Sequence, residues 1–126
     1  MLKWSETDLT EFFGVLPTFD DDALSHSFEV SRDGLRLLIT IFELEHAVCV
    51  SIFRDGLPEP VMSIRRKPCS HAHITQGTCF RRCFEFGATK FPVTDMGIPP
   101  VLTSGVRIYI EPQFQVELLE SQDENF

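Results

Sequence analysis

Between Leu35 and Leu44 apolar side chains occupy both parities of the chain: Leu35, Leu37, Ile39 and Ile41 on one face, Leu38, Phe42 and Leu44 on the other. A period of two with neither face polar marks a central strand covered on both sides. Arg36, Thr40 and Glu43 interrupt the run, which falls far short of the ~18 apolar residues of a membrane helix. A central strand needs a neighbour at each edge, and the flanking sequence supplies them. On one side Phe28, Val30 and Arg32 alternate with Ser27, Glu29 and Ser31; on the other Val48, Val50 and Ile52 alternate with Ala47, Cys49 and Ser51. Asp33-Gly34 joins the first pair, and Asp55-Gly56 leads on to a further strand over Val61 to Arg66. Asp-Gly between alternating segments is the strongest short hairpin signal, so both dipeptides are predicted to be tight turns between antiparallel neighbours. Arg-Asp-Gly-Leu occurs at 32–35 and again at 54–57. The flanks share no similarity, so this reads as one turn solution used twice rather than a duplicated unit.

Ahead of these strands, Ser5 is a natural N-cap with Asp8 three residues on, and Leu9, Phe12, Phe13 and Leu16 fall at helical spacing. Gly14 and Pro17 then stop an amphipathic helix over residues 6–15. After the strand to Arg66, Phe80, Phe84 and Phe86 share a parity with Arg82 and read as one strand. Val106, Ile108, Ile110, Phe114, Val116 and Leu118 keep even parity through Pro112, giving one bent strand or two collinear ones. Gly87, Pro92, Gly97, Pro99, Pro100 and Gly105 punctuate a long loop at 87–105, and 120–126 reads as a frayed acidic tail. The expected architecture is a single α+β domain over 1–126. A short N-terminal helix packs on a mostly antiparallel sheet of about six or seven strands spanning 27–119. A β-sandwich is the alternative.

Nineteen acidic residues against eleven basic ones leave a net charge of −8, which argues against a dedicated nucleic-acid binder. Two carboxylates among the first eight residues, with no apolar run behind them, leave no secretory leader expected, and the chain reads as cytoplasmic. There the four cysteines, Cys49, Cys69, Cys79 and Cys83, stay reduced and serve as small, mostly buried hydrophobes.

No Gly-Lys-Ser/Thr phosphate loop, Gly-x-Gly-x-x-Gly, His-Glu-x-x-His or Gly-x-Ser-x-Gly occurs, so the reading is of a protein that is not an enzyme and needs no cofactor. The best metal-like constellation is Cys69, His71 and His73, which would share a face on a strand, with Cys79 and Cys83 nearby and in zinc range of each other only if their segment is a loop or helix. Its spacing matches no usual zinc pattern, and no stoichiometric metal is expected there. Charge is segregated. Residues 65–90 hold six basic side chains against Glu85 alone, a net of +5, so with −8 overall the rest of the chain carries −13. That surrounding charge repels phosphates, so nucleic acid is not the expected partner of the basic segment.

Short, acidic, β-rich and without catalytic signatures, the chain resembles in general character the small immunity proteins that protect bacteria from their own or a neighbour's toxins. The resemblance implies a non-catalytic protein that binds and inhibits a cognate toxin, and it carries over no specific residue. An inhibitor of a toxin with a basic cleft must present carboxylates where that cleft holds anionic substrate. Asp20, Asp21, Asp22, Glu43 and Glu45 are the candidate electrostatic contacts, with Phe91 and Met96 in the long loop as apolar anchors. The competing readings are a small ligand-binding or zinc-binding regulatory domain, centred on His71 and His73, and an enzyme with a dispersed site.

Overall fold

A computed structural model of the chain describes residues 2–89 and 102–120. In order they form β1 (Lys3–Trp4), α1 (Glu6–Phe13), β2 (Thr18–Asp20), β3 (Ser25–Arg32), β4 (Leu35–Phe42), β5 (Ala47–Arg54), β6 (Pro60–Arg66), β7 (His71–Gln76), β8 (Arg82–Thr89), β9 (Leu102–Tyr109) and β10 (Gln115–Glu120). The fold is α+β: one helix and two five-stranded sheets. The front sheet has the order β2-β3-β4-β5-β6 and the back sheet β1-β7-β8-β9-β10. Every pairing is antiparallel except that of β1 with β7. Ten strands thus replace the six or seven expected. Two-residue β1 and three-residue β2 are too short to show a period, and β7 carries only one buried apolar residue, Ala72.

The helix begins and ends on local chemistry. Ser5 Oγ accepts a bond from the Asp8 amide at 3.2 Å, satisfying one of the free donors of the first turn. Gly14 closes the helix at a φ of 72°, its amide donating to Thr10 O at 2.9 Å. The helix therefore stops two residues before the expected 15. Leu16, read as the end of its apolar stripe, lies beyond the cap and is 81% exposed.

One buried cluster draws on both sheets and the helix. Phe28, Leu37, Ile39, Ile41, Val48 and Val50 of the front sheet and Phe84, Phe86, Val106 and Ile108 of the back sheet all belong to it. Phe13 joins the layers, with its ring 5.6 Å from that of Phe28 and 5.6 Å from that of Phe84.

β4 is central in its sheet, and its odd-numbered face is buried as the sequence indicates. The even face is half-buried among the described residues. Among the described residues it is finished by short cross-strand contacts: Ser27 to Thr40 at 3.1 Å, Arg36 to Glu29 at 3.0 Å, and the Arg36 guanidinium 4.3 Å over the Phe53 ring. Leu44 lies in the following turn and is 66% exposed. An antiparallel sheet can keep one such half-solvated face, with arginine stems covering what apolar surface it carries.

Both Asp-Gly dipeptides are turns between antiparallel neighbours, at one end of the front sheet, where the Asp55 amide donates to Gly34 O at 2.9 Å. Their geometries differ. Asp33 and Gly34 both have positive φ, 54° and 78°, in a two-residue loop that pairs Arg32 with Leu35. Asp55 and Gly56 open a five-residue connection, residues 55–59, and Pro60 sits on the edge strand β6 as the proline pattern indicates.

Three further expectations are corrected. Phe80 is outside the strand, in a short 3-10 turn over Thr78–Phe80, with a φ of 58° and 83% exposure; only Phe84 and Phe86 face the core. Val106–Leu118 is an antiparallel hairpin, not a collinear run: Ile108 pairs with Val116 and Val106 with Leu118. A hairpin joining residues of equal parity leaves the alternation unbroken, so periodicity could not tell the two apart. The expected loop at 87–105 is narrower, because β8 runs to Thr89 and β9 begins at Leu102. Of the cysteines, Cys69 and Cys83 are buried, Cys49 is half-buried and Cys79 is exposed.

Candidate functional site

Two groups of chemistry-bearing residues emerge. The first is the expected acidic set. Asp21 and Asp22 lie in the four-residue turn between β2 and β3, with Asp20 at the end of β2, and Glu43 and Glu45 lie in the four-residue turn between β4 and β5. Because Ser25 pairs with Phe42, these two turns stand side by side at the end of the front sheet opposite the Asp-Gly turns. Asp20 is committed to its own turn, Oδ1 accepting from the Asp22 amide at 2.9 Å and the Ala23 amide at 3.2 Å. Glu45 lies 3.9 Å from Arg65, an exposed pair that contributes little. Asp21 and Asp22 are exposed and Glu43 half-buried. Phe91 and Met96, the proposed apolar anchors, lie outside the described residues.

The second group occupies the outer face of the back sheet, where β7, β8, β9 and β10 run side by side. Register decides its membership. His73 stands opposite Glu85, Glu85 opposite Arg107, and Arg107 opposite Glu117, a row across four strands. His71 lies two residues from His73 on the same face, and the two imidazoles stack at 4.4 Å with 13° between planes. His73 Nε2 is 3.3 Å and His71 Nε2 3.9 Å from Glu85 Oε2, while Arg107 Nε donates to Glu85 Oε1 at 2.9 Å. Arg107 Nη1 and Tyr109 Oη both donate to Glu117 Oε1, each at 3.1 Å, and Thr78 Oγ1 donates to Oε2 at 3.0 Å.

The Glu85 side chain is only 10% exposed. Burial alone would raise its carboxyl, but His71, His73 and Arg107 outweigh that and hold it well below the usual carboxylate range. The same balance, with bonds from Thr78, Arg107 and Tyr109 overcoming burial, lowers Glu117, and the two carboxylates together keep Arg107 protonated. The row is thus ionised, with Arg107 bridging the two carboxylates.

Cys69 does not join the histidines as the strand reading placed it. β7 begins only at His71. The Cys69 amide donates to His46 O at 2.6 Å and its thiol to Arg66 O at 3.4 Å, with the side chain turned into the core. Glu85 takes the place expected for Cys69. In the sequence Glu85 stands out as the one carboxylate in a basic segment, but only the register of β7 against β8 brings it to His73.

No known family profile matches the sequence, and no curated protein does. Among solved structures, the fold is similar to a chain of a contact-dependent growth inhibition toxin–immunity protein complex from Klebsiella pneumoniae 342. The TM-score is 0.70 at 15% identity, over 92% of this chain and 93% of that one. At that identity the likeness is one of fold. Among the described residues no helix is long and apolar enough to cross a membrane.

Proposed function

We propose that this protein is an immunity protein, a non-catalytic domain that binds a cognate toxin and blocks it. The observation that carries the reading is the likeness of fold, over nearly the full length of both chains, to a chain of a toxin–immunity complex. The charge supports it: −8 overall, with Asp21, Asp22, Glu43 and Glu45 on two adjacent turns at one end of a sheet and Asp20 beside them at the end of β2. Turns are the part of a sheet free to enter a concave partner. Carboxylates there stand in for the anionic groups that a basic cleft receives, and they steer the encounter before contact. Asp21 and Asp22 carry most of that steering, since Asp20 is bonded into its turn and Glu45 has Arg65 nearby.

The test is binding to the product of the adjacent gene, with association rates followed across salt concentration. Association is expected to slow as salt rises, and changing Asp20, Asp21 and Asp22 together to Asn lowers the low-salt rate several-fold. Absence of binding sinks the immunity reading. Binding that ignores both salt and the three substitutions sinks the acidic-turn mechanism and leaves the function standing.

A further inference from the structure

We propose that His71, His73 and Glu85 form a zinc-class divalent-metal site on the outer face of the back sheet. This inference does not rest on the immunity reading. The three side chains each offer one ligand atom, and these atoms lie within 4.8 Å of one another. A tetrahedral zinc with ligand bonds of about 2.0–2.2 Å separates its ligands by roughly 3.3 Å. His73 Nε2 and Glu85 Oε2 already stand 3.3 Å apart, His71 Nε2 is 3.9 Å from the same oxygen, and the two stacked rings fan apart to turn both lone pairs onto one ion.

Three features of the surroundings suit a cation and are not needed by a bare pair of histidines. His71 Nε2 is buried and meets Glu85 Oε2 only at 3.9 Å, beyond hydrogen-bond distance, a cost that a ligand bond removes. On the far side of that ring, Nδ1 lies 3.5 Å from Ser70 Oγ, which itself donates to Gly87 O at 3.2 Å. A proton held on Nδ1 toward Ser70 leaves the Nε2 lone pair free for a metal. Glu85 is oriented in the same sense: Arg107 occupies Oε1 and leaves Oε2 turned toward the two rings. Arg107 is balanced in turn by Glu117 at 3.1 Å, so Glu85, Arg107 and Glu117 together carry −1. Two imidazoles and one carboxylate leave the fourth position for water or a partner's side chain, the pattern of an open site. The absence of a usual zinc spacing in the sequence reflects the source of the third ligand, which comes from across the sheet and not from Cys69.

The experiment uses the untagged full chain carrying Cys79→Ser, which removes the exposed thiol as a rival ligand. Zinc chloride is titrated calorimetrically, with cobalt absorption as a second readout. One zinc per chain is expected. His73→Ala, at a side chain 43% exposed and so tolerant of truncation, should weaken binding at least ~10-fold, as should Glu85→Gln. His26→Ala and His46→Ala should leave binding unchanged. Zinc should also raise the urea midpoint of the parent and not that of His73→Ala. No saturable binding, or equal affinity in His73→Ala, overturns the site and leaves the pair as two histidines sharing a carboxylate.

Discussion

Phe13 is the side chain through which the helix holds the two sheets together, and its truncation is the sharpest test of the fold described above. It is 4% exposed, and its ring lies 5.0 Å from Phe12 and 5.6 Å from each of Phe28 and Phe84. Phe-to-Ala changes in cores cost about 3–5 kcal/mol, the spread reflecting how far the surroundings collapse into the gap. Here collapse is restricted: moving α1 toward the front sheet opens it from the back sheet. We therefore expect about 4 kcal/mol for Phe13→Ala, in the middle to upper part of that range. A 126-residue domain at about 0.05–0.15 kcal/mol per residue is stable by roughly 6–19 kcal/mol, so the loss is large without being certain to unfold it. At about 4 °C per kcal/mol for a domain of this size, the melting temperature drops by roughly 15 °C. Urea unfolding reports the change through backbone circular dichroism and through Trp4, whose ring packs 4.9 Å from His26 and 6.5 Å from Phe28. Phe19→Ala, at a side chain 49% exposed, is the control and should cost under about 1 kcal/mol. A loss at Phe13 no larger than at Phe19 refutes the bridging role. So would two separate transitions in which Trp4 responds before the sheets.

Gly34→Val places a β-branched side chain at a φ of 78° and should destabilise by more than about 1 kcal/mol in urea; an unchanged midpoint refutes the two-residue turn. Burial pushes the Cys69 and Cys83 thiols up to about 11, so brief alkylation at neutral pH followed by mass spectrometry should find Cys79 modified and those two intact; equal labelling in the folded protein contradicts their placement. Glu117 has its carboxyl lowered in the folded state, so its contribution is fully present above the unfolded value of about 4.3 and is lost as pH falls through the folded value. Glu117→Gln should therefore flatten the fall of stability below about pH 5, and an identical pH profile in parent and variant counts against the row.

The boundary between what is legible in the sequence and what is not follows the range of the interactions. Ser5, Asp8 and Gly14 act within one or two turns of helix, so the start and the stopping signal of α1 can be read directly. The alternation at 27–32 and 47–54 reports burial of one face, the two-faced run at 35–44 marks the strand between them, and Asp33-Gly34 supplies a φ that few other pairs tolerate. These together determine the antiparallel front sheet. The turn at 43–46 escapes detection because its positive-φ residue is His46, a type that carries no turn signal. The hairpin of β9 and β10 is hidden because equal parity on its two arms looks the same as one continuous strand.

The acidic residues were visible as a set, though not as neighbours: the pairing of Ser25 with Phe42 is what brings the turns of Asp21 and Glu43 together. The row His73, Glu85, Arg107 and Glu117 was not legible at all. Its members come from four strands, spread over 45 positions of the chain. Within a strand, sequence alone determines which face a side chain takes, since that depends only on parity. Which side chain stands across from it is decided by register, and register depends on how the whole apolar face is buried between the two sheets.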